Sequence, residues 1–177
     1  VCLQGTGGDE LFGGYPWRYY KVFDSIDQDQ FFDQYYDFWQ RLVPDEEKNE
    51  LFQPDIFDQI DLTQPRKVFE NVFKFNESLK YNKPEDHINN SLYFEIKTFL
   101  PGLFLVGDKL AMANGLEERF PFMDNDLVDF AMKVPVKHKL GNLKDEISRI
   151  DENSTSDIKK KLSYREYDDG KNVLRKA

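Results

Sequence analysis

The chain is predicted to be mainly α-helical, with little strand, on three observations. Apolar residues recur at three- and four-residue spacing in several long windows. The 16 Phe and 9 Tyr of this 177-residue chain supply much of that pattern. Glycine and proline clusters separate the windows, and only one short segment reads as a strand.

Val1 to Gln4 reads as the end of a buried strand, with Cys2 as a small buried strand residue. Gly5-Thr6-Gly7-Gly8 is a turn, and Asp9-Glu10-Leu11-Phe12 starts a helix with acids in its first turn. Gly13-Gly14 and Pro16 keep that helix short. From Gln28 to Leu42, Phe31, Phe32, Tyr35, Tyr36, Phe38, Trp39 and Leu42 fall at helical spacing. A further helix is expected from Arg66 to Phe75, and Pro84 opens another that runs towards Pro101. Leu103 to Asn114 forms a helix that Gly115 stops. Asp124 to Met132 is a short amphipathic helix after a turn at Pro121. The stretch 141–169 is polar and poor in large apolar residues, so a surface insertion or mobile loop is expected there.

Composition narrows the function classes. Apolar residues at 40% and aromatics at 15% exclude a disordered or low-complexity chain. The net charge of −9 repels phosphate backbones and argues against nucleic-acid binding. A single cysteine excludes an internal disulfide framework, as in a reducing compartment. The longest uncharged apolar stretch, Thr98 to Gly107, contains Pro101 and is too short to span a bilayer. No charged start followed by an apolar run opens the chain, so neither a signal peptide nor a membrane role is expected. The chain reads as a cytoplasmic domain. Residues 133–177 hold 12 basic against 8 acidic side chains, a basic end on an acidic body. His87 and His138 lack metal-ligand spacing and read as surface histidines.

Three segments carry candidate chemistry. In the first, a strand runs through Gly5-Thr6-Gly7-Gly8 into a helix, which aims backbone N–H groups at an anion. Asp9 is then placed to hold a magnesium ion against phosphate oxygens. The spacing is not that of a Walker loop, because Gly14 stands where lysine is required. A tight turn with Asp9 as N-cap stays open as the structural alternative. In the second, Asp108 and Lys109 lie in an apolar helix, where an acid needs a partner. Glu117 and Arg119 bracket the following turn and are expected to pair, fixing Pro121-Phe122. The third is Lys171-Asn172-Val173-Leu174-Arg175, whose spacing alone fits any helix start.

Taken together, the three resemble a known family. Gln4 to Tyr15 resembles the Gly-x-Gly-x-Asp-Glu-x-Phe-Gly-Gly-Tyr segment of the asparagine synthase family. Gly115 to Asp124 is similar to its Gly-Leu-Glu-x-Arg-x-Pro-Phe-Leu-Asp segment, and Lys171-x-x-Leu174-Arg175 to its closing Lys-x-x-Leu-Arg. They occur in the family's order, and roughly Lys21 to Asn90 matches in helical character alone. The resemblance implies a fragment of an α/β, adenine-nucleotide-hydrolase-like (HUP-type) synthetase domain, with 1–177 a single partial domain.

It also implies a reaction and its participants. ATP adenylates a carboxylate, in the first place aspartate, and ammonia displaces AMP to give asparagine. The ammonia is free or comes from glutamine through a separate glutaminase domain, and relatives act on other carboxylates, including sugar acids. Gln4, Gly5, Gly7 and Gly8 would meet the nucleotide and Asp9 the Mg2+. Lys171 would stabilise the leaving pyrophosphate, and Asp108 would act near the amine step. Thr6 stands where asparagine-forming members usually have glutamate, which points to an altered amine step or acceptor. No Ser-Gly-Gly-x-Asp-Ser pyrophosphate loop is present in these residues. The expectation is therefore that upstream parts of the same chain complete the site, and that these residues alone do not adenylate aspartate. The alternative is a degenerate helical module for binding or assembly.

Overall fold

The computed structural model describes residues 1–40, 42–141 and 170–176. In chain order these form β1 (Cys2–Leu3), α1 (Gly8–Phe12), α2 (Pro16–Tyr19), α3 (Gln28–Trp39), α4 (Lys48–Leu51), α5 (Pro54–Phe57) and α6 (Gln64–Lys74). There follow α7 (Pro84–Lys97), α8 (Phe99–Ala113), β2 (Glu118–Arg119), α9 (Asn125–Lys133), α10 (Val136–Lys139) and α11 (Asn172–Arg175). The chain is thus mainly helical, as its periodicity predicts. The expected insertion at 141–169 lies outside the described residues from 142 onward. Among the described residues, no helix is long and apolar enough to cross a membrane.

Two compact units divide the chain, Val1–Tyr20 with Ser91–Ala177 and Lys21–Asn90. The second is built on an aromatic cluster. Phe31 and Phe32 of α3 meet Phe73 of α6 at centroid distances of 5.7 and 5.1 Å, and Phe32 meets Phe69 edge-on. His87 corrects its reading as a surface residue: it is fully buried and stacks on Phe31 at 5.5 Å. Burial disfavours the imidazolium and holds its pKa below the usual value. Leu42 falls beyond the end of α3 and is exposed.

In the first unit, β1 and β2 pair in parallel, Cys2 opposite Glu118 and Leu3 opposite Arg119. The backbone N–H of Gln4 extends the pair by donating to the Arg119 carbonyl at 2.9 Å. The strand is not buried, and Cys2 is exposed. The cause is local: among the described residues β1 pairs with β2 alone, which leaves the rest of the strand uncovered. The core instead centres on Leu11, Phe12 and Ala131, with Phe122, Met123, Leu127, Val128 and Val173 packed around them. It joins α1, α9 and α11 just behind the glycine-rich turn. Helix α9 begins where expected, because the Asp124 carboxylate caps the Asp126 and Leu127 amides. Lys139 at the end of α10 is buried, and desolvation pulls its pKa down to about 8.

Helix α8 starts four residues before the expected Leu103, taking Pro101 into its first turn, and ends at Ala113, with Gly115 following the Asn114 cap at a φ of 69°. Among its residues only Leu100 and Ala111 are buried, while Leu105, Val106, Leu110 and Met112 are exposed.

Candidate functional site

The glycine-rich turn leads from β1 into α1, and Gly7 makes the bend with a φ of 98°. A side chain there would also collide with Met123, whose Cε would lie 2.6 Å from a Cβ. Gly7 itself is the N-cap of α1, and no side chain caps the helix. The alternative in which Asp9 is an N-cap is therefore set aside. Asp9 is the second residue of the helix, and its carboxylate is free to point elsewhere.

It points at Lys171. The Lys171 Nζ lies 2.7 Å from Asp9 Oδ1, each side chain about a third exposed. Two local features hold the pair in place. Gly14 passes so close to Asp9 that a Cβ there would sit 1.7 Å from Oδ1, so no side chain is admitted. Gly170 is wedged against the same corner, where a Cβ would lie 2.3 Å from the Gly13 carbonyl oxygen and 3.1 Å from Gly14 Cα. From that wedge Lys171 adopts a left-handed backbone, φ 55°, and its N–H donates to the Phe12 carbonyl at 3.1 Å. Gly170→Ala is therefore expected to destabilise the fold by about 1–3 kcal/mol, as overpacking does, and to loosen the Asp9–Lys171 pair. A urea midpoint equal to that of the parent protein would refute the wedge.

Behind Asp9 lies a buried charged network. Arg18 of α2 pairs with Glu95 of α7 at 3.1 Å, both side chains almost fully buried. Tyr19 donates its hydroxyl to the other Glu95 oxygen at 3.2 Å. The Arg18 guanidinium stacks 3.8 Å over the Tyr15 ring and 4.6 Å over Phe99. Tyr15 in turn donates to Glu10 at 3.1 Å. Burial raises the pKa of Glu10 and lifts that of Glu95 to about 7, against the opposing pull of Arg18.

On the strand side of the turn, Thr6 donates its hydroxyl to Gln4 Oε1 at 3.1 Å. The Gln4 amide donates to Glu118 Oε1. Glu117 and Arg119 pair at 2.5 Å across the exposed face, as their spacing predicts.

The structure thus gathers Gln4, Gly5, Thr6, Gly7, Gly8, Asp9 and Lys171 around one turn. Among the described residues, Asp108 makes no hydrogen bond or ion pair with them. It is exposed on α8, which corrects the expectation that an acid in this helix needs a partner. Leu105, Val106 and Leu110 beside it are likewise exposed among the described residues. Arg18, Glu95, Glu118 and Gly170 carry more of the local architecture than their sequence context signals.

As for a metal, no group of three or more His, Cys, Asp or Glu side chains gathers among the described residues. Asp9 supplies one carboxylate, which suits Mg2+, an ion commonly held by one or two carboxylates together with substrate phosphates. The same oxygen pairs with the Lys171 ammonium.

Comparison with known proteins follows the same residues. The asparagine synthase family model matches residues 1–177. The chain belongs to the asparagine synthase family. Glutamine-hydrolyzing asparagine synthetase 1 of Bacillus subtilis (strain 168) is 41% identical over 69 residues, covering 38% of this chain and 10% of that protein. Glutamine-hydrolyzing asparagine synthetase 3 of the same organism is 28% identical over 142 residues, 79% of this chain and 21% of its own length. A putative glutamine-hydrolyzing asparagine synthetase 1 of Methanocaldococcus jannaschii is 24% identical over 143 residues, 81% of this chain and 16% of that protein. The chain therefore spans about a tenth to a fifth of the length of these asparagine synthase relatives. No solved structure matches it.

Proposed function

We propose that this chain contributes the carboxy-terminal part of the synthetase site in an AMP-forming, ATP-dependent ligase. The observation that carries the reading is the Asp9–Lys171 pair at the mouth of the glycine-rich turn. Adenylation of a carboxylate expels pyrophosphate and concentrates negative charge on it. A positioned cation beside a metal-binding carboxylate is the electrostatic arrangement such a step requires. Bound Mg2+ would neutralise phosphate charge and align the leaving group.

The chain's own residues then divide the work. Gly5, Gly7 and Gly8 leave Thr6 as the one side chain of the turn, so that backbone can approach the nucleotide, and Gln4 borders the same space. Asp9 supplies a metal oxygen, and Lys171 places its ammonium where pyrophosphate charge develops. Ammonia, free or released from glutamine, then displaces AMP to form the amide. Aspartate is the first acceptor to test. Thr6 in place of the usual glutamate favours a second reading, with a different carboxylate such as a sugar acid as acceptor. The alternative of a non-catalytic binding module leaves the Asp9–Lys171 geometry without a purpose.

The test uses the full-length gene product with ATP, Mg2+ and aspartate. Carboxylate-dependent pyrophosphate release is expected. Asp9→Asn should weaken the apparent magnesium affinity by about 10–100-fold, the scale on which metal sites respond to altered ligation. An unchanged magnesium dependence in that variant would remove Asp9 from the metal site.

A further inference from the structure

The glycine-rich turn reaches a carboxylate that none of the three motif resemblances assigns a role. Thr6 and Gln4 form a relay that ends on Glu118, the residue paired with Cys2 across the parallel strands. One oxygen of Glu118 accepts from the Gln4 amide. The other, Oε2, is buried and has no hydrogen-bond partner among the described residues. An ordinary structural carboxylate fills both oxygens, because a buried acceptor left unmet costs on the order of 1–3 kcal/mol. On the facing helix, Gly107 gives Oε2 its room, since a Cβ there would stand 2.7 Å away. The residue as a whole is half-buried, at the edge of the turn rather than in the core.

A carboxylate oxygen that lacks a donor takes an N–H donor or a cation. Thr6, by contrast, cannot accept a proton near neutral pH, and its hydroxyl is already spent on Gln4. Gln4 orients Glu118 and cannot itself act as a base. We propose that Glu118 is the catalytic carboxylate for the amine step, binding the incoming ammonia and accepting its proton. The proposal rests on the ligase reading above.

The step balances with the groups named. The ammonia nitrogen bonds to the carbonyl carbon of the acyl adenylate, and the bond from that carbon to the phosphate oxygen breaks. AMP leaves with the electron pair of that bond. One proton of the attacking nitrogen passes to Glu118 Oε2, giving amide, AMP and a neutral Glu118. Solvent restores the carboxylate after release.

Glu118→Gln in the full-length gene product separates this role from a structural one. The substitution keeps the size of the side chain and an acceptor for Gln4, and removes the basic oxygen. In a single turnover with ATP, Mg2+ and aspartate, the variant should release its first equivalent of pyrophosphate within about twofold of the parent rate. Its ammonia-dependent amide formation should fall about 10²-fold or more, the usual contribution of a general base. Hydroxylamine, a less basic but stronger nucleophile, should still yield hydroxamate at a rate close to that of the parent. Glu118→Asp, which retains the carboxylate one methylene further back, should recover part of the ammonia reaction. Equal losses with ammonia and hydroxylamine, or a first-turnover release of pyrophosphate slowed as much as amide formation, would make Glu118 a structural support and overturn the proposal. Ammonia kinetics unchanged in the variant would overturn it as well. If the parent protein releases no pyrophosphate with aspartate, the ligase reading with that acceptor falls, and the proposal falls with it.

Discussion

Lys171→Ala is expected to slow carboxylate-dependent pyrophosphate release by about 10²–10³-fold, the scale of losing one preorganised electrostatic stabiliser. Stability should barely change. The Asp9–Lys171 pair is about a third exposed on each side, and pairs screened by solvent to that degree contribute roughly 0–1 kcal/mol. Lys171→Arg keeps the charge but replaces a compact ammonium with a planar fork, so partial recovery is expected. The backbone supports a functional reading. A non-glycine residue at φ 55° is disfavoured by on the order of 1–2 kcal/mol, and such outliers cluster where geometry is imposed for function. The assay pairs kinetics with urea unfolding. A large rate loss at an unchanged midpoint supports the electrostatic role, and a matching fall in both would make Lys171 a structural clasp.

Arg18→Met is expected to destabilise the fold by about 3–5 kcal/mol, because it leaves Glu95 buried without its cation. The loss should depend on pH. Burial lifts the Glu95 pKa from 4.5 to about 7, so the folded state binds a proton more tightly than the unfolded chain. The stability linked to this proton is fully present below pH 4.5 and is lost as pH rises through 7. Glu10, also raised by burial, acts in the same direction. The parent protein should therefore unfold more readily at pH 8 than at pH 5. In Arg18→Met the opposing pull of the guanidinium disappears, and the decline should steepen and extend to higher pH. Urea titrations at pH 5, 7 and 8.5 measure this, and a penalty for Arg18→Met equal at all three would show that Glu95 keeps its proton throughout.

The helices could be read from the sequence because their signals are local. The aromatic spacing in α3 and α6, Pro84 at the start of α7 and the Asp124 cap of α9 each lie within a few residues of what they determine. The turn and Asp9 were legible for the same reason. Lys171 was legible only through the family resemblance, since its spacing suits any helix and its meaning comes from Asp9, far away along the chain. Arg18 and Glu95 present the same difficulty, as neither announces its burial without the other. Cys2 failed in the opposite direction, and the partner expected for Asp108 was not needed. An apolar neighbourhood in sequence was taken for burial, yet β1 and much of α8 lie uncovered among the described residues. His87 shows the converse, a lone histidine drawn inside by an aromatic partner from another helix. Glu118 occupied a variable position of its motif, and its unmet oxygen becomes visible only when Gln4 and Gly107 are seen around it.

The corner at Gly13 and Gly14 has one further consequence. Leu140 approaches Gly13, where a Cβ would lie 3.2 Å from its Cδ2, and Gly170 rests on the Gly13 carbonyl. The chain therefore departs and returns at a single pair of glycines, before and after residues 141–169. Doubling the number of residues between two fixed ends adds only about 0.6 kcal/mol of closure entropy. Evolution can thus lengthen, shorten or rewrite this stretch while the distance from Lys171 to Asp9 is kept, and length variation among homologues should concentrate there.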